Sequence, residues 1–124
     1  MIYLASPYSH DCSLVREQRH EAACRVTASL IQDGAIVFSP IAHSHSLSQH
    51  GLPKDWSFWE AFGRSFLEKC DLLAVLMLDG WKFSIGVQAE IRIAGDLGIP
   101  VSYLEPGLAT GSPTLAHVAS GGDG

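Results

Sequence analysis

The chain has 124 residues, enough for one domain with a single sizeable core, and 47% of them are hydrophobic, which suits a compact soluble protein and excludes a disordered one. A formal net charge of −5 argues against nucleic acid as a polyanionic partner, although a small phosphorylated ligand needs only a local cluster of donors. No apolar run approaches the ~18 residues that span a bilayer, Met1-Ile2-Tyr3-Leu4 has no basic region of the kind that opens a secretory signal, and neither feature is expected. Cys12, Cys24 and Cys70 are odd in number and not spaced as metal-binding pairs, so reduced, partly buried thiols in a cytoplasmic protein are expected.

Ile2 to Ala5 is a short apolar run ending in Ser6-Pro7-Tyr8, a strand stopped by turn chemistry. From about Ser13 to Asp33 the period turns helical, with Val15, Ala22, Val26 and Leu30 on one face and Gly34 as a C-terminal stop. Ala35 to Phe38 reads as a second strand. The polar, Ser- and His-rich stretch from Ile41 to Pro53 is expected to be a functional loop. Helix returns near Asp55 and runs to Cys70, with Trp59, Phe62, Phe66 and Cys70 as its inner stripe. Leu72 to Leu78 is uninterrupted and apolar, the pattern of a central parallel strand buried on both faces. A helix over residues 83–98 follows, then a fourth strand at Val101 to Leu104. The alternation predicts an α/β fold, a doubly wound, flavodoxin-like or Rossmann-like parallel sheet of four to five strands over residues 1–106. Residues 107–124 form a Gly/Ser-rich tail, expected to be mobile or to dock on a neighbour.

In such sheets ligands bind beyond the carboxyl ends of the strands, a rule that selects Ser6, Tyr8 and Ser9 after the first strand and Ser39, His43 and His45 after the second. Asp79, Trp81 and Ser84 follow the third, and Glu105 the fourth; Asp71 lies at the opposite end and is read as structural. Glu90 is the anomaly. It shares a helix face with Val87 and Ala94, where a carboxylate loses hydration and persists as an anion only if donors or a ligand compensate. Ser84 can cap that helix and Gly86 can let a ligand approach its free backbone N–H groups, the geometry for a phosphate or sugar hydroxyl. A carboxylate behind such a site could attack an anomeric carbon. The structural alternative is a buried Glu90 paired with Tyr3 or a histidine.

The stretches "IYLASPYS", "GAIVFSPIAHSH", "CDLLAVLMLDGWKFSIGVQAEI" and "AGDLGIPVSYLEP" resemble the nucleoside 2-deoxyribosyltransferase superfamily, in particular a small bacterial and phage branch related to the 2′-deoxynucleoside 5′-phosphate N-hydrolases. The resemblance covers roughly residues 1 to 106, and its most specific element is Ser84, Gly86 and Glu90 after a buried strand. It implies that Glu90 is a nucleophile forming a covalent deoxyribosyl intermediate at C1′ and that Tyr3 orients it. It implies also that Ser84 and Gly86 hold the 5′ end of a nucleotide, with no cofactor, and that the protein is a homo-oligomer, since relatives build their sites at subunit contacts. Relatives usually carry an aspartate eight residues before the position of Asp71, where this chain has Gly63. Either the acid has moved, with Asp79, Glu60 and a loop histidine as candidates, or catalysis is weakened or lost, and a non-catalytic nucleotide-binding module is left.

The remaining candidates divide between site and scaffold. His43-Ser44-His45 could chelate a metal, but acid or thiol partners are not nearby in sequence, so no metal is expected and contact with a base or phosphate is preferred. Trp59 has core spacing, whereas Trp81 sits in a turn at the ligand edge and could stack on a base. Arg16 and Arg19, just after the first loop, could meet a 5′-phosphate or simply be solvated.

Overall fold

The β-branched and aromatic residues of Ile2–Ala5 form strand β1, and the chain then crosses the sheet through helix α1, Ser13–Gln32. These and the elements below come from a computed structural model that describes residues 1–53, 56–107 and 115–119. Strand β2 is only Val37–Phe38, shorter than the sequence pattern suggests. Helix α2, Pro40–Leu47, and a 3-10 turn, Ser48–His50, occupy most of the stretch expected to be a loop. Ser39-Pro40 does more than stop a strand. The Ser39 hydroxyl accepts a hydrogen bond from Ala42 N at 3.1 Å, and Pro40 takes the first helical position, where its missing N–H costs nothing. The polar composition reflects a helix that buries no residue fully.

Helix α3 spans Trp56–Leu67, β3 spans Leu72–Leu76, and a 3-10 turn at Trp81–Phe83 leads into helix α4, Ile85–Leu97. Gly98 ends α4 at φ 73°, a left-handed conformation that costs glycine little, and β4 follows at Val101–Leu104. From the tail, Leu115–Ala119 forms β5, an antiparallel edge strand against β4, where the sequence reading has no element. The expectation for the rest of the tail, residues 108–114 and 120–124, lies outside the described residues.

The strand order is β2-β1-β3-β4-β5, with β1 to β4 parallel. That is the flavodoxin-like doubly wound order, and its topological switch point lies between β1 and β3. One face of the sheet buries Tyr3, Ala5, Leu73 and Val75 beneath Leu67 of α3 and Val87, Ile93 and Ala94 of α4. The other buries Leu4, Ala74 and Leu76 beneath Val26 of α1. Strand β3 therefore has apolar residues on both sides, as its continuous hydrophobic run requires. The inner line of α3 runs through Gly63 and Leu67 to Cys70 just beyond it, while Trp59, Phe62 and Phe66 are half-buried beside that line. No helix among the described residues is long and apolar enough to cross a membrane.

Candidate active site

Tyr3 is the second residue of β1 and points to the α3/α4 face, where it is 1% exposed. Glu90 is the sixth residue of α4, and the helix brings its carboxyl over β1. The Tyr3 hydroxyl donates a hydrogen bond to Glu90 Oε2. Burial, the nearby Glu90 charge and this hydrogen bond all raise the Tyr3 pKa far above its usual value, so the phenol stays protonated and donates. Burial raises the Glu90 pKa to about 7, and the Tyr3 hydrogen bond opposes that rise. Among the described residues no cation pairs with Glu90. The residue as a whole is half-buried.

Gly63 is the third member of this group. A Cβ built on it would stand 2.8 Å from the Tyr3 hydroxyl oxygen and 4.0 Å from Glu90 Oε2. The first distance is shorter than any real contact allows, so any side chain at 63 displaces the phenol. The helix accepts glycine at a cost of ~1 kcal/mol relative to alanine because the space is occupied by the tyrosine hydroxyl. Sequence reasoning found the missing side chain but not the hydroxyl that replaces it. The signal was a glycine on the inner face of an apolar helix.

Helix α4 begins at the carboxyl edge of β3 with Ser84 as its N-cap, and the Ser84 hydroxyl accepts from Val87 N at 3.2 Å. Gly86 is the second residue of that helix and half-buried. Beside it, Trp81 packs on Tyr103 at 5.6 Å between ring centroids, with Lys82 Nζ 5.8 Å from the Trp81 ring centre. Asp79 is exposed in the same loop; its carbonyl accepts a hydrogen bond, and its carboxylate has no partner among the described residues. Residues Met77 to Phe83 line a shallow groove of about 180 Å³. A wider groove of about 490 Å³ lies between α3 and α4, lined by Glu60, Arg64 and Arg92 among others, and neither groove has Glu90 in its wall.

Across the switch point, Ser6 is 6% exposed, and its hydroxyl has no hydrogen-bond partner among the described residues. A buried hydroxyl without a partner costs ~1–3 kcal/mol, and here it stands at the edge where such folds bind ligands. Arg19 spans the two loops: Nη1 donates to Ser9 O at 2.9 Å and Nη2 to Asp79 O at 3.0 Å. It ties the loop after β1 to the loop after β3, and two of its donors are already used by backbone. Ser9 contributes its carbonyl to that brace and is otherwise exposed. Arg16 likewise donates to a carbonyl, that of His10.

Tyr8 and His45 form a separate group. The Tyr8 hydroxyl lies 2.8 Å from His45 Nδ1, and His45 Nε2 lies 2.9 Å from Glu17 Oε1. Burial raises the Tyr8 pKa. His43 turns the other way, onto the rings of Phe38, Phe62 and Phe66, with centroid distances of 5.6 to 6.4 Å. The two histidines of the His-x-His pattern thus serve different neighbourhoods because helix, unlike an extended strand, points positions two apart in different directions. At the opposite edge of the sheet, Asp71 pairs with the Met1 ammonium at 2.7 Å, in keeping with its structural reading.

Fold and site together define a doubly wound α/β domain that carries a buried acid–phenol pair beside its switch point. Residues 1–105 match the family described as "Domain of unknown function (DUF1937)", and the chain belongs to that family. No curated protein matches the chain significantly.

Proposed function

We propose that this protein breaks the N-glycosidic bond of a (deoxy)nucleoside 5′-monophosphate through a covalent glycosyl–glutamate intermediate. The observation that carries the reading is the Glu90 carboxyl, desolvated, without a cation among the described residues, and held by a neutral tyrosine hydroxyl. A carboxylate in that state supports the positive charge that develops at C1′ of the sugar. Its oxygen would bond to C1′ as the bond to the base nitrogen breaks, and the base would leave with a proton. Water would then attack C1′, returning the carboxylate and releasing the sugar phosphate; a second base in place of water would make the same chemistry a transfer. Tyr3 would orient Glu90 throughout.

The free N–H groups of the first turn of α4, next to Ser84 and Gly86, suit the 5′-phosphate. The unpartnered Ser6 hydroxyl suits a sugar or phosphate oxygen. Asp79, at the same edge, is the candidate donor for the leaving base, with His43 and Trp81 as candidate base contacts. The expected homo-oligomer would complete the site at its rim, where Phe83 and Ile85 on either side of Ser84 are 89% and 74% exposed. The setting would be cytoplasmic.

Gly63 favours a second reading. Where the resembled superfamily has an acid, the Tyr3 hydroxyl fills the space, so a chain that binds nucleotide without cleaving it is the alternative. Incubating the wild type and Glu90→Ala with a panel of nucleoside monophosphates separates the two. Base release that requires Glu90 supports the enzyme. Nucleotide that raises Tm without release supports the binding module.

A further inference from the structure

Glu17 and His20 of α1 and His45 of α2 take no part in that reaction, and together they are composed as a metal site is. Glu17 and His20 lie three residues apart on α1, hence on one face of the helix, and α2 lays His45 against them. One ligating atom from each of Glu17, His20 and His45 lies within 4.8 Å of the other two. Nε2 of His45 already stands 2.9 Å from Glu17 Oε1. The His20 and His45 rings stack at 3.9 Å with an interplanar angle of 19°. We propose that Glu17, His20 and His45 bind a divalent transition cation of the zinc class, leaving a fourth position open to water.

The chemistry of the donors selects the ion. Two imidazoles and one carboxylate suit zinc and neighbouring transition metals, whereas magnesium and calcium require oxygen donors throughout. Tetrahedral coordination with bonds of ~2.0–2.1 Å sets ligand atoms ~3.4 Å apart, so the widest separation must close by at most about 1.4 Å while the 2.9 Å pair of His45 and Glu17 opens slightly. One stacked ring must also turn to direct its lone pair at the shared ion. That turn uses the broad torsion next to the imidazole and is therefore soft.

Tyr8 supplies the support such a site needs. Its hydroxyl oxygen lies 2.8 Å from His45 Nδ1, where it can accept that N–H and leave Nε2 as the free ligand atom. Cys24 adjoins His20, with Sγ 3.3 Å from Nε2. Glu17 is 63% exposed at its side chain, so an ion has a path from solvent. The acid partner that the His-x-His stretch lacks nearby in sequence is brought to it by the packing of α1 on α2.

The test is zinc titration of the full chain at neutral pH against a chromogenic chelator, with circular dichroism to confirm that each variant folds. The wild type should bind one equivalent. Glu17→Gln, at an exposed position that spares the fold, and His45→Ala should each weaken binding at least ~10-fold, and Tyr8→Phe by ~10- to 100-fold. His43→Ala and His50→Ala should leave it unchanged, and magnesium should not compete. Absence of stoichiometric zinc binding, binding undiminished in Glu17→Gln and His45→Ala, or binding lost instead with His43 or His50 would each overturn the proposal.

Discussion

Replacing Glu90 with glutamine removes the ionisation and keeps most of the shape. Burial raises the Glu90 pKa from 4.5 to about 7, so the folded protein holds this proton over a pH range in which the unfolded chain has released it. The stabilisation from a neutral Glu90 is therefore fully present below about pH 4.5 and is lost as pH rises through about 7. At ~1.36 kcal/mol per pH unit, the interval corresponds to about 3 kcal/mol. Glutamine is neutral throughout and can still accept from Tyr3, so Glu90→Gln should match the wild type near pH 4.5 and exceed it by about 2–3 kcal/mol near pH 8. For a domain of this size that difference is roughly 10 °C in Tm. Urea or thermal unfolding of both proteins across the range reads it directly, because the other titrating groups cancel in the comparison. Parallel curves for the two proteins would refute a desolvated carboxyl at 90 and, with it, the account of the site.

Three further substitutions probe the surrounding structure. Gly63→Ala places a methyl group 2.8 Å from the Tyr3 hydroxyl, so the gain in helix propensity should be outweighed by overpacking, with a net loss of ~1–2 kcal/mol and reduced turnover by unfolding and activity assays. Arg19→Ala removes two charge-assisted hydrogen bonds that tie the β1 and β3 loops together; a loss of ~1–2 kcal/mol and faster amide exchange around residues 9 and 79 are expected. Ser84→Ala deletes the cap of α4 and should lower stability by ~1 kcal/mol while raising KM for a phosphorylated substrate more than it lowers kcat.

The sheet was legible because its signals are local. Uninterrupted apolar runs at Ile2–Ala5 and Leu72–Leu78, each followed by turn residues, specify parallel strands without reference to the rest of the chain, although the second strand ends at Leu76. Glu90 was legible for the same reason, since a carboxylate between Val87 and Ala94 breaks a helical stripe. Helix α2 was missed because its capping residues also read as the end of β2 and its composition is polar. Arg19 was read as a possible phosphate ligand because a sequence cannot show that two carbonyls from distant loops meet its guanidinium. The cluster of Glu17, His20 and His45 and the placement of Gly63 against Tyr3 depend on contacts between elements, which no residue spacing encodes.

The central claim is that Glu90 forms a bond to sugar carbon. Acid quenching during turnover of a nucleoside monophosphate, followed by peptide mass analysis, tests it most directly. The account predicts a sugar-phosphate adduct on the peptide that contains Glu90, together with released base, and neither product from Glu90→Gln. Base release that continues undiminished in Glu90→Gln, with no adduct on the wild type, would contradict it.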